Sequence, residues 1–182
     1  MTIFSLTCFG GLLSNRLGME FNSPMVNMFF SSDDFFKLVN SPKEYFGKKL
    51  ELYGTAWEQN LKWEYPVFLL GDIKVNMNHY GGMSYEQAIS IWEERVKRIN
   101  WDDILVTMCT EDEAVLQEFE KLPYKKKACF VPFETDSNSG YYVPNSAAKG
   151  NFWEYFNALA DGRLNYYDLW ELLLYGNKKW IG

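Results

Sequence analysis

The clearest hydrophobic pattern in the chain predicts a strand, a helix and a second strand within about 30 residues. Residues 104–108 and 128–133 are apolar runs, and residues 115–122 between them repeat apolar positions at helical spacing. A capping-box sequence at residues 110–113 and Pro123 mark the two ends of the helix. Because parallel strands need a crossover of this kind, the pattern predicts a βαβ unit with a right-handed connection.

Elsewhere the hydrophobic and polar positions predict further strands and helices. Gly71 and Asp72 lie between two apolar runs, and a two-residue connection of this kind is typical of a hairpin turn. Residues 84–87 form a capping box that begins an amphipathic helix. The predicted strands cover residues 2–8, 25–30, 67–70 and 73–80, and the predicted helices cover residues 12–17, 84–99, 152–160 and 166–175, with further helix starts at Ser32 and Ser41.

The order of these elements predicts the fold class. Strands that alternate with helices are typical of α/β proteins, and the polar residues 134–150 predict a long loop before the last two helices. A chain of 182 residues fits one domain. We therefore expect one α/β domain over residues 1–182, with a three-layer α/β/α arrangement, a mostly parallel sheet, one antiparallel hairpin and aromatic-rich C-terminal helices.

Charge and hydropathy limit the partners. The 18 Lys and Arg residues against 24 Asp and Glu give a net charge of −6, whereas nucleic-acid binding needs clustered basic side chains. Nucleic acid is therefore not an expected partner. No apolar run approaches the roughly 20 residues of a membrane span, so we expect no transmembrane segment and leave peripheral membrane contact open.

Cysteine and histidine usage limits the compartment and the metal chemistry. Cys8, Cys109 and Cys129 are odd in number and form no CxxC pair, which favours a reducing compartment, the cytoplasm. The single histidine excludes a site built from several histidines. The sequence identifies no metal ligands and no cofactor.

Two connections between a predicted strand and the next helix are candidate ligand-binding segments. One contains Cys8, Gly10 and Gly11, and the other contains Thr110. Ligands of open α/β sheets collect beyond the carboxyl ends of the strands, and glycine lets the backbone approach an anion at a helix N-terminus. The alternative is a tight turn that needs glycine, because neither segment holds a complete phosphate-binding motif. If both segments bind a ligand, they should lie side by side at one edge of the sheet.

Arg95 is a candidate ligand-binding residue because it falls on an apolar helix stripe with Ala88, Trp92 and Ile99. A charge on such a stripe needs a partner. An anion such as a phosphate suits the planar guanidinium. A buried carboxylate, or a side chain extended to water, would explain Arg95 without a ligand. We expect Arg95 to be largely buried against a carboxylate or a polar pocket.

His79 is the candidate catalytic residue. It ends the predicted strand over residues 73–80 on the face of Ile73, Val75 and Met77, and imidazole alone has an unperturbed pKa near neutral. It could therefore act as a general base, with a structural histidine as the alternative.

Aromatic side chains are candidate platforms for sugar rings, although a place in the hydrophobic core explains most of them. The six aromatic residues considered for this role are Trp57, Trp63, Tyr65, Tyr141, Tyr142 and Trp153.

Three stretches of the sequence together resemble a bacterial protein family, domain of unknown function 1919, which occurs in capsule and exopolysaccharide gene clusters. The stretches are residues 5–36 with Cys8-Phe9-Gly10-Gly11 and Asn22-Ser23-Pro24, residues 72–100 with His79-Tyr80, Trp92 and Arg95, and residues 119–127 with Leu122-Pro123-Tyr124-Lys125. One departure is that residues 5–11 are Ser-Leu-Thr-Cys-Phe-Gly-Gly, where members usually carry Ser-Asn-Asn-Cys-Trp-Gly-Gly. The two missing amides weaken the case for polar side chains that hold a sugar in this loop.

The resemblance implies an α/β/α fold and a role in surface-polysaccharide assembly, and it adds Asn22 and Ser23 to the candidate ligand-binding residues. It favours an enzyme that transfers a glycosyl group or otherwise modifies a sugar from an activated donor, with a nucleotide sugar or polysaccharide intermediate as partner. The alternative is a non-catalytic sugar-binding or accessory protein. A serine or cysteine hydrolase is a weaker option, because the sequence has no GxSxG elbow.

The enzyme hypothesis makes a geometric prediction. His79 should line one pocket together with Gly10, Gly11, Ser23 and Arg95.

Overall fold

The computed structural model describes residues 1–59, 62–146 and 152–182. Across these residues the chain forms two sheets and several helices. Its elements are β1 (Thr2–Ser5), α1 (Phe9–Arg16), α2 (Ser32–Asn40), α3 (Pro42–Phe46), β2 (Leu50–Glu58), β3 (Trp63–Leu70), β4 (Ile73–Asn76), α4 (Tyr85–Lys97), β5 (Ile104–Cys109), α5 (Glu113–Glu120), β6 (Lys126–Val131), β7 (Gly140–Tyr142), α6 (Phe152–Asp161) and α7 (Leu169–Tyr175).

The first sheet is parallel throughout, with the strand order β1-β5-β6-β7. Strands β5 and β6 pair in parallel with α5 between them, which confirms the predicted βαβ unit. Strand β7 lies in the stretch predicted to be a loop and extends the sheet beyond β6. Its three residues begin with Gly140 and follow the polar segment 134–139, which is why the hydrophobic pattern missed the strand.

The second sheet is antiparallel, with the order β2-β3-β4. The hairpin predicted at Gly71 and Asp72 is confirmed, and Gly71 takes the positive φ of 69° that this turn requires. The hairpin does not join the parallel sheet. It pairs instead with β2, a strand that the sequence did not predict because a register shift near Tyr53 interrupts its alternation.

Two hydrophobic cores cover the two faces of the parallel sheet, as expected for a layered α/β fold. On one face, Phe9 of α1, Phe130 of β6 and Phe156 of α6 are fully buried together. On the other face, α2, α4, α5 and the antiparallel sheet share a core that contains Phe68 and Trp92. The predicted α/β fold class is therefore confirmed, with the hairpin in a sheet of its own.

Several predicted boundaries are wrong near the candidate site residues. Strand β1 ends at Ser5, and Gly10 and Gly11 lie inside α1 instead of in a loop before it. Strand β4 ends at Asn76, so His79 lies beyond it in a turn. The apolar run at residues 25–30 is mostly buried, with Asn27 exposed, and it forms an isolated antiparallel bridge between Phe29 and Asn76 in place of the predicted strand. Hydrophobicity alone reports burial and does not determine whether a run extends into a hydrogen-bonded strand.

Two predicted helix caps are also shifted along the chain. Ser31 caps α2 by accepting from the Asp34 amide, where Ser32 was expected to do so. Asp112 caps α5 by accepting from the Ala114 amide, in place of Thr110. The box at Ser84 is confirmed, since Ser84 and Gln87 cap each other's backbone N–H groups.

Candidate functional site

A cleft of about 330 Å³ opens between strands β2 and β3 and the turn that precedes α4; we call it the sheet cleft. In β3, alternate residues point to one face, which places Glu64 and Pro66 on the cleft side with Phe68. Tyr85, the first residue of α4, packs edge-on against Phe68 with ring centroids 6.5 Å apart. The lining residues are Thr55, Glu64, Tyr65, Pro66, Tyr80, Gly82, Met83, Ser84 and Tyr85.

The turn that forms one wall of the cleft is held in place by Trp63. The Trp63 indole Nε1 donates to the Asn78 carbonyl at 2.8 Å. Gly81 lies so close to the same ring that a Cβ there would be 2.7 Å from Trp63 Cγ. Glycine at residue 81 is therefore a packing requirement, and it positions Tyr80 over the cleft.

The polar groups of the cleft are concentrated on the two strands. The Thr55 hydroxyl donates to the Glu64 carboxylate, and Trp57 stands directly across from Glu64 in the strand pair. Trp57 is 55% exposed and Tyr85 is 39% exposed. Trp57 is not part of the lining, so the cleft combines one accessible aromatic ring, that of Tyr85, with a carboxylate and a hydroxyl, a combination that suits a small molecule.

Tyr80 links the cleft to Arg95. The Tyr80 side chain is buried, which raises its pKa, while the charge of Arg95 acts in the opposite direction. Arg95 Nη1 donates to the Tyr80 hydroxyl at 2.6 Å and to the Val26 carbonyl at 3.2 Å. Arg95 is half-buried, and no carboxylate of the described residues forms an ion pair with it. Arg95 is therefore less buried than predicted. Of the two predicted surroundings, a carboxylate or a polar environment, the structure has a polar one made by a carbonyl and a hydroxyl.

His79 lies beside the cleft and is not part of its lining. Its side chain is exposed, its ring meets Trp63 edge-on at 6.5 Å, and its backbone N–H donates to the Asn27 carbonyl at 3.4 Å. Partial burial lowers the pKa of His79, against the opposing charge of Glu58. The imidazole is consequently neutral at pH 7, the form that a general base needs.

The candidates Cys8, Gly10, Gly11 and Thr110 lie at the carboxyl end of the parallel sheet. Strands β1 and β5 are neighbours, so the connections that follow them leave the sheet next to each other. Gly10 and Gly11 are buried in α1, where a Cβ would lie 3.1 Å from Ile3 and 3.0 Å from Val26 respectively. Close packing of α1 therefore explains both glycines without a ligand.

At the carboxyl end of the parallel sheet, neither the Cys8 thiol nor the Thr110 hydroxyl has the surroundings of an activated nucleophile. Burial raises the pKa of the Cys8 thiol to about 11, so the reactive thiolate is scarce at neutral pH. The Thr110 hydroxyl accepts from the Asp112 N–H at 3.0 Å, and the Thr110 N–H donates to the Phe130 carbonyl at 3.1 Å. Thr110 therefore shapes the start of α5.

Asn22 and Ser23 lie at the opposite end of β1. The Thr2 hydroxyl donates to the Asn22 carbonyl at 3.0 Å, and the buried Ser23 hydroxyl accepts from the Met25 N–H at 3.2 Å. Neither the sheet cleft nor the groove between α2, α3 and α5 is lined by His79, Ser23, Arg95 or the two glycines. Their ligand-binding roles stay predictions.

A second, larger groove of about 430 Å³ lies between α2, α3 and α5. Several of its polar side chains already have partners: Lys37 pairs with Asp72 at 2.8 Å, and Glu44 pairs with Lys48 at 2.8 Å. None of the candidate ligand-binding or catalytic residues from the sequence lines it, so we consider the sheet cleft the better candidate. Its residues are Asp33, Phe36, Lys37, Asn40, Ser41, Glu44, Tyr45 and Glu118.

Sequence reasoning identified only part of the sheet cleft. Tyr65 and Trp57 were candidate sugar platforms, but Glu64, Thr55 and Tyr85 were not singled out. The capping box at Ser84 could have indicated one wall of the cleft, since it places Tyr85 at the start of a helix.

Among the described residues, no cluster of three or more His, Cys, Asp or Glu side chains could hold a metal ion. Within the same residues, no helix has the length and apolar character needed to cross a bilayer.

Two comparisons place the chain among known proteins. A family model described as Domain of unknown function (DUF1919) matches residues 1–175. An uncharacterized protein of Haemophilus influenzae is 28% identical in an alignment 182 positions long that covers 97% of this chain and 84% of that protein. Both similarities extend across the two sheets and the sheet cleft.

Proposed function

Because the chain belongs to this family of unknown function, we propose a function from the geometry of the sheet cleft: the protein binds a carbohydrate there. The observation that carries the proposal is the accessible ring of Tyr85 together with the Glu64 and Thr55 pair in one cleft. A sugar ring presents C–H groups on its faces and hydroxyls at its edge. Aromatic rings match the faces, and a carboxylate accepts from the hydroxyls.

The charge of the cleft narrows the class of sugar. Glu64 lines the cleft. Burial raises the pKa of Tyr65, another lining residue, and the nearby negative charge of Glu58 raises it further. Like charges repel an anionic ligand. The cleft therefore favours a neutral sugar, such as a hexose or an acetamido sugar, over a uronic acid.

The resemblance to exopolysaccharide and capsule proteins supplies the biological setting of the proposal. A neutral sugar unit would then belong to a polysaccharide intermediate or to an activated donor. The three free cysteines fit a reducing compartment, the cytoplasm, because oxidising compartments favour disulfides.

Substitutions in the cleft test the binding proposal. Titration of the protein with cellotriose and chitotriose, followed by calorimetry and by the fluorescence of Trp57, should show saturable binding. Glu64→Gln should weaken binding about tenfold or more, since a hydrogen bond to a charged group contributes about 1.5 to 3 kcal/mol. Tyr85→Ala should weaken it about threefold or more through the lost ring contact.

The matched control for Tyr85→Ala is Tyr175→Ala, which removes a tyrosine that is 66% exposed on α7. This control should leave the dissociation constant within about twofold of wild type. Equal affinity in Glu64→Gln, Tyr85→Ala and wild type would contradict the proposed site. Failure of the wild type to bind either trisaccharide would contradict its sugar class.

An enzyme that modifies the bound sugar is a second candidate, and His79 is the observation that favours it. The side chain is exposed and neutral beside the cleft. If the protein is an enzyme, His79→Ala should abolish turnover and change the free energy of unfolding by no more than about 0.5 kcal/mol, as expected for an exposed residue. Turnover can be followed as release of nucleotide from a panel of nucleotide sugars. Full turnover by a folded His79→Ala protein would show that His79 is not the catalytic base, and it would favour a protein that binds the sugar without modifying it.

A further inference from the structure

Arg95 brings a positive charge into a half-buried position without a matching negative charge. Its Nη1 donates to the Val26 carbonyl and to the Tyr80 hydroxyl, which are both neutral acceptors. Across residues 1–59, 62–146 and 152–182, no carboxylate pairs with this guanidinium. Partial removal of an unpaired charge from water costs free energy, and a bound anion would offset that cost.

The two contacts of Arg95 leave one side of its guanidinium available. Nε and Nη2 form no hydrogen bond with any residue that the structure describes, and together they present two parallel N–H groups. This geometry matches two oxygens of one phosphate group. Because Nη1 is already held by two acceptors, the side chain loses little conformational freedom when an anion binds.

Arg98 supplies a second cation one helical turn further along. Residues three apart on a helix are neighbours on its surface. Arg98 forms a long ion pair with Glu20, with 3.7 Å between Nη1 and Oε1, and the two side chains are 40% and 68% exposed. Exposed ion pairs of this kind contribute little to stability, so a doubly charged phosphate can displace Glu20. The candidate residue Asn22 lies in the same turn, where its N–H donates to the Glu20 carbonyl at 3.0 Å.

We propose that Arg95 and Arg98 form an anion site for a phosphate or diphosphate group. Arg95 binds two oxygens through Nε and Nη2, and Arg98 provides the second positive charge. Free phosphate, pyrophosphate and the diphosphate of a nucleotide-activated sugar share this chemistry. The site is separate from the sheet cleft, whose acidic lining favours neutral sugars, although Tyr80 contacts both.

Titration of the full chain with inorganic phosphate, pyrophosphate and uridine diphosphate tests the site directly. At constant ionic strength, the Nε–H resonances of Arg95 and Arg98 should shift in a saturable manner. Arg95→Lys keeps the charge and loses the fork, and it should weaken binding about tenfold or more. Arg98→Gln should weaken it as well, and its exposed position poses little risk to folding. The matched control is Arg163→Gln, because Arg163 is 69% exposed and paired with Asp161 at 2.7 Å; its affinity should stay within about twofold of wild type.

The three probes separate the sources of the phosphate. Tighter binding of uridine diphosphate supports a nucleotide-linked ligand, and tighter binding of phosphate or pyrophosphate supports a free anion at the same site. The proposal is overturned if none of the probes saturates the Arg95 resonance, or if Arg163→Gln weakens binding as much as Arg95→Lys. If Arg95→Lys fails to fold, the wild-type resonances and Arg98→Gln decide the outcome. Loss of sugar binding in Glu64→Gln leaves these results unaffected.

Discussion

Replacing Phe9 with alanine is expected to lower the free energy of unfolding by about 3 to 5 kcal/mol, the usual range for truncating a buried aromatic side chain. Phe9 is fully buried at the start of α1. Its ring stacks on Phe156 of α6 with centroids 4.3 Å apart and meets Phe130 of β6 at 5.3 Å. One side chain therefore joins two helices to the central part of the parallel sheet. Urea unfolding, followed by circular dichroism, measures the change.

The control and the partner variant make the Phe9 experiment specific. Trp153→Ala removes an aromatic side chain that is 45% exposed on α6 and should change stability by no more than about 0.5 kcal/mol. A double-mutant cycle between Phe9 and Phe156 should give a coupling of about 0.5 to 1.5 kcal/mol. A loss of less than about 1 kcal/mol for Phe9→Ala would contradict the packing of α1 described above.

The same packing decides between two interpretations of the glycine pair in the sequence. Gly10 and Gly11 were candidate phosphate-binding residues because they follow a strand of a parallel sheet. In the structure they allow α1 to approach Ile3 and Val26 closely. A glycine pair after a strand is thus compatible with helix packing and with anion binding, and sequence alone does not distinguish the two uses.

The fold was predictable where local signals and burial agree. The βαβ unit over β5, α5 and β6 has apolar strands, a helical stripe and a proline stop, and it is confirmed. The hairpin and the capped start of α4 are confirmed for similar reasons. Strand β2 was missed because most of its side chains are exposed and its register shifts near Tyr53, so no period of two marks it. Edge strands depend on their partner, which the sequence does not show.

The candidate site was harder to predict because one of its walls is the missed strand β2, and because Glu64 lies in the part of β3 before the strand predicted over residues 67–70. Thr55 lies on β2, and Glu64 faces the cleft only because β2 and β3 pair in the observed register. His79 was assigned to a strand face by extending a pattern of alternating apolar residues beyond Asn76, where the structure turns. The helix phase that drew attention to Arg95 could be predicted because α4 begins at the confirmed capping box at Ser84, although the side chain is half-buried where large burial was predicted.

The three thiols are expected to resist modification in the folded protein, and this is the largest kinetic effect predicted for the chain. Burial raises the pKa of Cys8 from its ordinary 9.0 to about 11 and, with a smaller contribution from the charge of Glu111, that of Cys109 to about 12. Burial also raises the pKa of Cys129 well above 9.0. Because only the thiolate reacts, a rise of two pKa units lowers the reactive fraction about hundredfold. Stopped-flow labelling with an aromatic disulfide reagent, in buffer and in urea, compares the folded and unfolded rates.

The pH dependence follows from the same shifts. Between pH 9 and 11 the unfolded chain loses its thiol protons while the folded chain keeps them, so the folded state binds more protons and its stability falls as the pH rises. This contribution is fully present below pH 9 and is lost as the pH rises through the raised pKa values. Labelling in buffer at pH 7 should therefore be slow for Cys8 and slower still for Cys109, whose side chain is also inaccessible. Rapid labelling of Cys8 in the folded protein would contradict the raised pKa of this half-buried thiol. It would also favour the cysteine hydrolase among the functions considered from the sequence, with Cys8, the residue before α1, as the candidate nucleophile.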